Sequence, residues 1–461
     1  MTQPPPQSSS TSIHFVGIAG AGMSALAELF IRRGIPVSGC DTATAGAADL
    51  ERLGVHVLHG HDPSHVESAS EVIVTSAVKR DHPELERARA LGIPVTRRAE
   101  ALGRAVAVGR LVAVAGTHGK TTTTVMTTQA LNAAGLNPTG IVGGRVGAWN
   151  GNLSEGGEEL FVVEADEYDR SFLALAPTVA VVTNMEADHL DIYPGGIDEI
   201  REAFAQFVRG ARAIVLCADD RGATSIPTPS SAEVIRYGID SDDARLVATG
   251  IESVGTGSRF DCYYDGKKLG DIELAVPGMH NVRNALAALG AGLALGITLP
   301  SMREGLASFG GVERRFQRIG EARNIVVIDD YAHHPTEIQA TLQAARAAFP
   351  GKRIVAAFQP HLYSRTRDFY PEFASALGQA DAVFLADLYP AREQPVEGVS
   401  SGLIADKMRE AGKAPVWEGP RDKAAEAIAE RARENDVVIT IGAGDITRTG
   451  PELLDLLART S

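Results

Sequence analysis

The chain has 461 residues, 44% of them hydrophobic and 22% charged, a composition typical of globular proteins and unlike that of disordered chains. At roughly 100 to 200 residues per domain, this length predicts about three domains. The formal net charge of -14 argues against general binding to nucleic acid or to a membrane surface, because their phosphate groups would be repelled.

The first twelve residues are rich in Pro, Gln and Ser, with neither a basic start nor an apolar segment. We therefore predict a disordered tail at 1–12 rather than a signal peptide. No apolar run approaches the roughly 20 residues needed to cross a bilayer. The three cysteines, Cys40, Cys217 and Cys262, are isolated and lack the paired spacing of a zinc or redox motif. These features predict a soluble protein of the reducing cytoplasm.

The first predicted unit alternates strands and a helix. IHFVGI reads as a strand, MSALAELFIRRG as a helix that stops at Gly34, PVSGCD as a second strand and EVIVTSAV (71–78) as a third. A glycine turn joins the first strand to the helix. This order predicts a Rossmann-like unit.

The turn sequence GIAGAGMS contains Gly17, Gly20 and Gly22, whose backbone N–H groups and adjoining helix N-terminus could bind a diphosphate. Its spacing is not the dinucleotide G-x-G-x-x-G, because Ala19 stands where the second glycine belongs. Asp41 ends the next strand, where a dehydrogenase would place a ribose-binding acid. A structural turn, a diphosphate site and a nicotinamide dehydrogenase all remain open on this motif alone.

A second unit begins with the strand LVAVAG (111–116), which runs into GTHGKTTTT (116–124). Two glycines, Lys120 and Thr121 at the start of a helix are typical of a P-loop: backbone N–H groups hold phosphates, the lysine adds charge and the threonine can bind magnesium. Val114 occupies the position of the first P-loop glycine, so this loop is shorter than usual.

Two acidic clusters follow strands of the second unit, EADEYD after FVV and TNMEADHLD after VAVV. A P-loop magnesium usually needs a further carboxylate from a neighbouring strand, and Glu164 can supply it. From the residue alone, His189 reads as a structural histidine, because magnesium prefers oxygen ligands. Asp188 and Asp191 could equally cap helices.

A third unit contains the strands NIVVIDDY (324–331), RIVAAFQ, DAVFLAD and DVVITIG, after a helical stretch at 281–295. Histidine, arginine and amide clusters interrupt the pattern in GMHNVRNA, GVERRFQ, DDYAHHPTE and QPHLYSRTRD. Each could be a loop or cap, but together they suit a substrate with phosphates and carboxylates. The fold class predicted is α/β, with mostly parallel sheets that bind ligands at the C-terminal ends of their strands.

The motifs VGIAGAGMSALAE, AGTHGKTTTT, VEADEYDRSFL, TNMEADHLDIY, GMHNVRNA, GVERRFQ, DDYAHHPTE, FQPHLYSRTRDFY and DLYPAREQP occur in this order, and 13–457 resembles the Mur ligase family. The resemblance implies three domains. A Rossmann-like domain for a UDP-sugar would span 13–108, a central P-loop ATPase-like domain 109–317, and a C-terminal Rossmann-like domain for the amino acid 318–461.

The C-terminal motifs most resemble those of members that add L-alanine. The resemblance thus implies ATP-dependent ligation of L-alanine to the lactyl carboxylate of UDP-N-acetylmuramate through an acyl phosphate, in cytoplasmic peptidoglycan precursor synthesis. ATP and Mg²⁺ would be the cofactors, with no nucleic-acid or membrane partner and a monomer or homodimer expected. The nearest alternative is a recycling ligase that adds an intact tripeptide; a non-catalytic nucleotide switch is a more distant one.

The resemblance also assigns roles to residues. Thr121, Glu164 and His189 would bind metal ions, His189 at a second metal. The implied catalytic residues are Lys120, Glu164, His189, His333 and Arg365. The implied nucleotide-binding residues are Gly116, Thr117, His118, Gly119, Lys120, Thr121, Thr122, His280, Asn281, Arg314, Asp330 and Tyr331. The implied UDP-sugar residues are Gly17, Ala19, Gly20, Ala21, Gly22, Met23, Ser24 and Asp41.

Two stretches depart from the family pattern. Leu362 stands where some relatives carry an arginine, so Arg365 is expected to contact a carboxylate without that help. The TSAV stretch at 75–78 differs from the serine-rich form of the family, which leaves the uridine contacts open.

Overall fold

The computed structural model describes residues 12–190, 192–391 and 393–459. Apart from Ser12, the predicted tail at 1–12 lies outside these residues, as does Asp191. The strands are β1 Ile13–Val16, β2 Val37–Asp41, β3 His56–His59, β4 Glu71–Val74, β5 Val95–Arg97, β6 Arg110–Ala115, β7 Thr139–Val146, β8 Gly151–Ser154, β9 Leu160–Glu164, β10 Val179–Val182, β11 Ala213–Cys217, β12 Glu233–Gly238, β13 Leu246–Val254, β14 Gly257–Tyr264, β15 Lys267–Leu274, β16 Gln317–Ala322, β17 Ile325–Asp330, β18 Ile354–Phe358, β19 Ala382–Ala386, β20 Trp417–Gly419 and β21 Val437–Ile441.

The α-helices alternate with these strands along most of the chain. They are α1 Ala21–Arg32, α2 Ala48–Arg52, α3 Pro83–Ala90, α4 Arg98–Val106, α5 Lys120–Ala133, α6 Ile197–Val208, α7 Arg221–Thr224, α8 Met279–Ala294, α9 Leu299–Ala307, α10 Pro335–Ala348, α11 Tyr363–Leu377, α12 Gly402–Glu410, α13 Ala424–Arg431 and α14 Thr449–Arg459. Within the described ranges, no helix combines the length and the apolar character that crossing a bilayer requires.

The chain divides into two compact units. Unit 1 comprises Met1–Thr249, Asp261–Gly270 and Arg283–Ser308, and unit 2 comprises Gly250–Phe260, Asp271–Val282 and Phe309–Ser461.

The first sheet of unit 1 has the strand order β3-β2-β1-β4-β5 and is parallel throughout. Helix α1 packs on it because Met23, Leu26 and Phe30 recur at helical spacing and are buried in its core. The strand predicted at 71–78 ends early, at Val74. Beyond it the chain turns, and the Val78 N–H donates to the Thr75 carbonyl at 3.2 Å.

The second sheet has β6 at its centre, paired in parallel with β9 and β10. The parallel order continues through β11 and β12 on one side and β7 on the other, with β8 antiparallel at the edge. Strands β13 to β15 extend the sheet beyond β12. The apolar residues of β6 after Arg110 are all buried, as expected for a central parallel strand covered on both faces.

The third sheet lies in unit 2 and has the order β16-β17-β21-β18-β19-β20. Its strands are parallel except β16, which is antiparallel to β17. One face packs Ile328, Phe358 and Ile439 with α10 and α11, and the other packs against α13 and α14. The C-terminal ends of β17 and β18 carry the motifs DDYAHHPTE and QPHLYSRTRD.

Candidate active site

The loop between β6 and α5 has the backbone shape of a phosphate-binding turn. Gly116 and Gly119 have φ values of +139° and +80°, and Lys120 is the first residue of α5. A Cβ at Gly116 would lie 2.0 Å from the Thr183 hydroxyl, and one at Gly119 would lie 2.7 Å from the Asn284 side-chain oxygen. Both positions therefore require glycine, for conformation and for space.

Lys120 lies folded back against the loop and an acidic neighbour. Its ammonium donates to the Gly116 carbonyl at 2.8 Å and to Glu167 Oε2 at 2.7 Å, and Asp166 Oδ1 is 3.6 Å away. Burial alone would lower the pKa of Lys120, but the carboxylates, with Glu167 contributing most, outweigh burial and raise it. The lysine therefore stays a cation, as a phosphate-binding residue must.

Thr121 and Glu164 lie side by side at the ends of α5 and β9. The Thr121 hydroxyl donates to Glu164 Oε1 at 3.0 Å, and the Gly143 N–H donates to Glu164 Oε2 at 2.7 Å. Burial raises the pKa of Glu164 despite these hydrogen bonds. A hydroxyl and a carboxylate oxygen in contact are a donor set that suits a hard divalent cation.

Residues after β10 hold the loop between β6 and α5 in place, a role that was not predicted from the sequence. Asn184 Oδ1 accepts from the His118 N–H at 2.7 Å, and the Thr183 hydroxyl donates to the His118 carbonyl at 2.6 Å. The Glu186 N–H donates to the Thr117 hydroxyl at 2.9 Å. These bonds tie the acidic cluster after β10 to the turn. Thr122, also predicted to contact the nucleotide, is buried in the first turn of α5.

Asn284 is a second residue that the sequence reading missed. It lies on α8, and its side-chain oxygen accepts from the buried Thr123 hydroxyl at 3.2 Å beside Gly119. The motif GMHNVRNA contains Asn284, although only His280 and Asn281 of this motif are predicted nucleotide contacts. Helical spacing provides the missing signal, because Asn281 and Asn284 are three residues apart on one face of α8.

His189 lies in the loop after β10 and has a φ of +54°. Its ring meets the Tyr168 ring edge-to-face with centroids 5.1 Å apart, and its Nε2 is 3.8 Å from Asp188 Oδ2. Asp188 also accepts the His189 N–H at 2.8 Å. The role at a second metal remains a prediction.

The glycine turn before α1 is built around Gly17, which has a φ of +85°. Its N–H donates to the Cys40 carbonyl at 2.8 Å, and the Ala19 N–H donates to Asp41 Oδ2 at 3.0 Å. Asp41 thus supports the turn itself. Met23 is buried in the core, so only its backbone could face a ligand, and no side chain caps α1 at Gly20.

A pocket in unit 1 lies between the start of α4 and the acidic loop after β9. Its lining includes Ser76, Arg97, Arg98, Asp166, Tyr168 and Arg170. The Arg98 guanidinium also covers the glycine turn, since a Cβ at Gly22 would lie 3.0 Å from Arg98 Nη1. Arg98 was not among the predicted site residues, yet it places positive charge next to the predicted diphosphate site.

Unit 2 contains a second cluster of residues that are predicted to bind the nucleotide. The Arg314 guanidinium lies 4.9 Å from the centroid of the Tyr331 ring and donates to the Gly442 carbonyl at 2.7 Å. Arg315 lies 5.2 Å from the same ring. A ring faced by two guanidinium groups is held rigidly by cation–π attraction. His280 and Asn281 belong to the same unit, and the Asn281 amide donates to the Pro277 carbonyl at 2.7 Å.

Asp330 is buried at the end of β17. Its carboxylate accepts the N–H groups of Phe316 at 2.9 Å and Ala332 at 2.7 Å. Burial raises the pKa of Asp330 to about 6, against the opposing charge of Arg315. In this structure Asp330 therefore organises the segment before β16 and the loop after β17.

His333 and Arg365, the residues predicted to bind the amino-acid substrate or the acyl phosphate, follow β17 and β18. The His333 N–H donates to Glu337 Oε2 at 2.9 Å, and His333 Nδ1 is 3.0 Å from the Tyr331 carbonyl oxygen. Arg365 is buried in the first turn of α11. Leu362, the departure noted in the sequence, has a φ of +73°, a strained value for a branched side chain.

The comparisons with known proteins cover the full length of the chain. The Mur ligase family catalytic domain matches residues 12–110, the Mur ligase middle domain 114–292, and the Mur ligase glutamate ligase domain 314–444. A UDP-N-acetylmuramate–L-alanine ligase of Anaeromyxobacter dehalogenans strain 2CP-C is 44% identical over 98% of this chain and 99% of that protein. The chain belongs to the Mur ligase family.

Two further Mur ligases are similar along their whole length. A UDP-N-acetylmuramate–L-alanine ligase of Pelobacter propionicus is 42% identical, over 97% of this chain and 98% of that protein. The crystal structure of UDP-N-acetylmuramate-alanine ligase MurC from Thermotoga maritima superposes with a TM-score of 0.83 at 31% identity, covering 98% of this chain and 100% of that one. The predicted α/β Mur ligase architecture is confirmed, and a nicotinamide dehydrogenase finds no support.

Proposed function

We propose that this protein joins L-alanine to the lactyl carboxylate of UDP-N-acetylmuramate at the expense of ATP, in peptidoglycan precursor synthesis. The observation that carries the proposal is the Lys120 loop, with its glycine backbone and the Thr121–Glu164 pair, in a chain 44% identical to an enzyme named for this reaction. We keep the predicted domain boundaries, 13–108, 109–317 and 318–461, as part of the proposal.

The reaction transfers a phosphoryl group to the lactyl carboxylate, and the amine of L-alanine then displaces it as phosphate. A lactyl carboxylate oxygen attacks the γ-phosphorus of ATP, the bond to the β,γ-bridging oxygen breaks, and ADP leaves. The amine of L-alanine then attacks the acyl phosphate carbon, loses a proton and expels phosphate. Positioning and charge neutralisation supply most of the catalysis in such reactions. Lys120 and the N–H groups of 116–120 would hold the phosphates.

Magnesium fits the pair of oxygen donors formed by Thr121 and Glu164, whose side-chain oxygens are 3.0 Å apart. When bound there, it would neutralise charge on the β- and γ-phosphates. The ammonium of Lys120 would exchange its contact with Glu167 for one with a phosphate oxygen. Because that ammonium already lies beside the loop, a side-chain rotation is enough to deliver it.

The nucleotide sugar would bind in unit 1, with its diphosphate at the glycine turn and Arg98 as counter-charge. The pocket lined by Arg97, Arg98 and Asp166 adjoins both the turn and the phosphate loop. A lactyl carboxylate held by these arginines would face the region where the γ-phosphate arrives. In unit 2, Arg314 and Tyr331 are assigned to ATP, and His333 and Arg365 to L-alanine or the acyl phosphate.

The proposal is tested with the purified chain, ATP, magnesium and UDP-N-acetylmuramate. Phosphate release should depend on L-alanine, and mass spectrometry should show the UDP product heavier by one alanine residue. A parallel panel of amino acids and the intact tripeptide measures selectivity. Release that requires the tripeptide would overturn the assignment, and release without any acceptor would indicate a nucleotide switch.

A further inference from the structure

A second cluster of metal-ligating side chains lies in the first sheet of unit 1. His14 comes from β1, Cys40 from β2, Glu84 from the first turn of α3, and His65 from the short 3₁₀ turn Pro63–Val66. His14, Cys40 and Glu84 are each fully buried, and the His65 side chain is 15% exposed. Nothing in the ligation chemistry proposed above uses them.

The four side chains converge on one point. One ligand atom from each lies within 4.8 Å of every other. His65 Nδ1 is 2.8 Å from Glu84 Oε1, and Cys40 Sγ is 3.1 Å from the same oxygen. Tetrahedral zinc with bonds of about 2.0 Å to nitrogen or oxygen and 2.3 Å to sulfur places its ligand atoms roughly 3.3 to 3.6 Å apart. Small side-chain shifts would therefore admit an ion.

His14 has one ring nitrogen that is hydrogen-bonded and one that is not. Its Nδ1 is 2.9 Å from the Ser38 hydroxyl, whereas its Nε2 is buried and has no hydrogen-bond partner among the described residues. A ring nitrogen fixed by an outer hydrogen bond, with the other nitrogen unpaired, is the usual arrangement of a metal-binding histidine.

The charges also balance. Cys40 Sγ lies 3.1 and 3.2 Å from the two Glu84 carboxylate oxygens, in a contact where a protonated thiol donates to the carboxylate. A divalent ion would displace that proton to solvent, and the resulting thiolate together with the Glu84 carboxylate would cancel its two positive charges. A neutral complex is what a buried site tolerates.

We propose that His14, Cys40, His65 and Glu84 form a structural site for a borderline-soft divalent transition metal ion, with Zn²⁺ as the best match. The thiolate sulfur selects against magnesium, which separates this site from the Thr121–Glu164 pair. Two outer histidines, His61 and His82, also approach Glu84, at 3.2 and 3.8 Å. His61 Nδ1 also lies 3.3 Å from Cys40 Sγ, so these two histidines are neighbours of the site.

An ion here would fix the end of β2 next to the glycine turn. The Cys40 carbonyl accepts the N–H groups of Gly17 at 2.8 Å and Ile18 at 3.1 Å, and Asp41 follows directly. The metal would thus join β1, β2, α3 and the 3₁₀ turn beneath the predicted diphosphate site. Its removal is expected to lower the melting temperature of the protein.

The test uses the full chain, freed of metal with a chelator and then titrated with Co²⁺ in the presence of excess magnesium. One equivalent of cobalt should produce the thiolate-to-cobalt charge-transfer absorption in the near ultraviolet and the visible bands of a tetrahedral ion. Cys40→Ser should abolish the charge-transfer absorption. Cys217→Ser, which changes another buried free cysteine, should retain it in full.

A second measurement covers the case in which Cys40→Ser does not fold. Protein purified from zinc-supplemented cells should contain one zinc per chain by mass spectrometry, and chelation should lower its melting temperature. Glu84→Gln and His65→Ala should reduce the zinc content, whereas His82→Ala should not. The proposal is overturned by a wild-type chain that gives no cobalt absorption and no zinc, or by equal losses in Cys40→Ser and Cys217→Ser.

Discussion

Lys120 Nζ lies 2.7 Å from Glu167 Oε2, in a contact where the lysine and glutamate side chains are only 13% and 4% exposed. The pair joins the start of α5 to the acidic loop after β9. It gives the lysine a counter-charge before any nucleotide is present. If Lys120 binds phosphate as proposed, ATP must replace one partner of the lysine with another, and the first two predictions test this exchange.

Lys120→Ala is expected to retain binding of UDP-N-acetylmuramate but to lose turnover by about 100-fold or more, because the lysine acts on the phosphates. Calorimetry with the nucleotide sugar and a phosphate-release assay separate the two effects. Lys423→Ala, at an exposed lysine, should change neither. Equal losses of sugar binding and turnover in Lys120→Ala would contradict this role.

Glu167→Gln is expected to lower the free energy of unfolding by about 3 kcal/mol in the absence of nucleotide, because it removes the nearest counter-charge of a buried cation. The loss should shrink when ATP and magnesium are added, since phosphate then supplies that charge. Denaturant unfolding with and without nucleotide measures both values. Glu426→Gln, in an exposed pair, is the control. A loss unaffected by nucleotide would refute the exchange.

Arg98→Ala is expected to raise the KM for UDP-N-acetylmuramate at least about tenfold, the usual effect of losing a charged hydrogen bond. The KM for ATP should stay near its wild-type value, because Arg98 covers Gly22 and not the Lys120 loop. Arg98→Lys should recover part of the affinity, and the exposed Arg201→Ala should have no effect. An increase confined to the KM for ATP would place the arginine elsewhere.

The raised pKa of Asp330 predicts that the unfolding free energy of unit 2 depends on pH. Burial raises its pKa from 3.8 to about 6, so the folded protein keeps a proton there after the unfolded chain has lost it. The stability contributed by the protonated group is therefore complete below about pH 4 and is lost as the pH rises through 6. Relative to Asp330→Asn, the wild-type unfolding free energy should fall by up to about 3 kcal/mol across this range.

Urea unfolding followed by Trp417 fluorescence measures this difference, because Trp417 lies on β20 of the third sheet. A Trp149→Phe background removes the signal of the other tryptophan. Profiles of wild type and Asp330→Asn that run parallel from pH 4 to 7 would show that the carboxyl group titrates normally.

Much of the fold was predictable because buried parallel strands are short apolar runs. LVAVAG and NIVVIDDY were placed within one residue of β6 and β17, and the helix before Gly34 ends at Arg32. The hairpin strands β14 and β15 were not predicted. Their exposed, charged residues alternate with buried ones, so no apolar run marks them.

The candidate site was predictable where its residues share one motif, as Lys120 and Thr121 do. Asn184, Asn284 and Arg98 were not predicted, because each lies far in the sequence from the glycine turn that it contacts. Only the folded structure shows these contacts. Cys40 is the clearest case. The sequence suggested no metal motif because the other three candidate ligands come from separate elements.

The most direct test of the ligase proposal follows oxygen atoms. UDP-N-acetylmuramate labelled with ¹⁸O in its lactyl carboxylate is incubated with the purified chain, ATP, magnesium and L-alanine, and the released phosphate is analysed by mass spectrometry. An acyl-phosphate path transfers one labelled oxygen to each phosphate. Phosphate that carries no label, with the alanyl product formed, would contradict attack by that carboxylate on the γ-phosphoryl group.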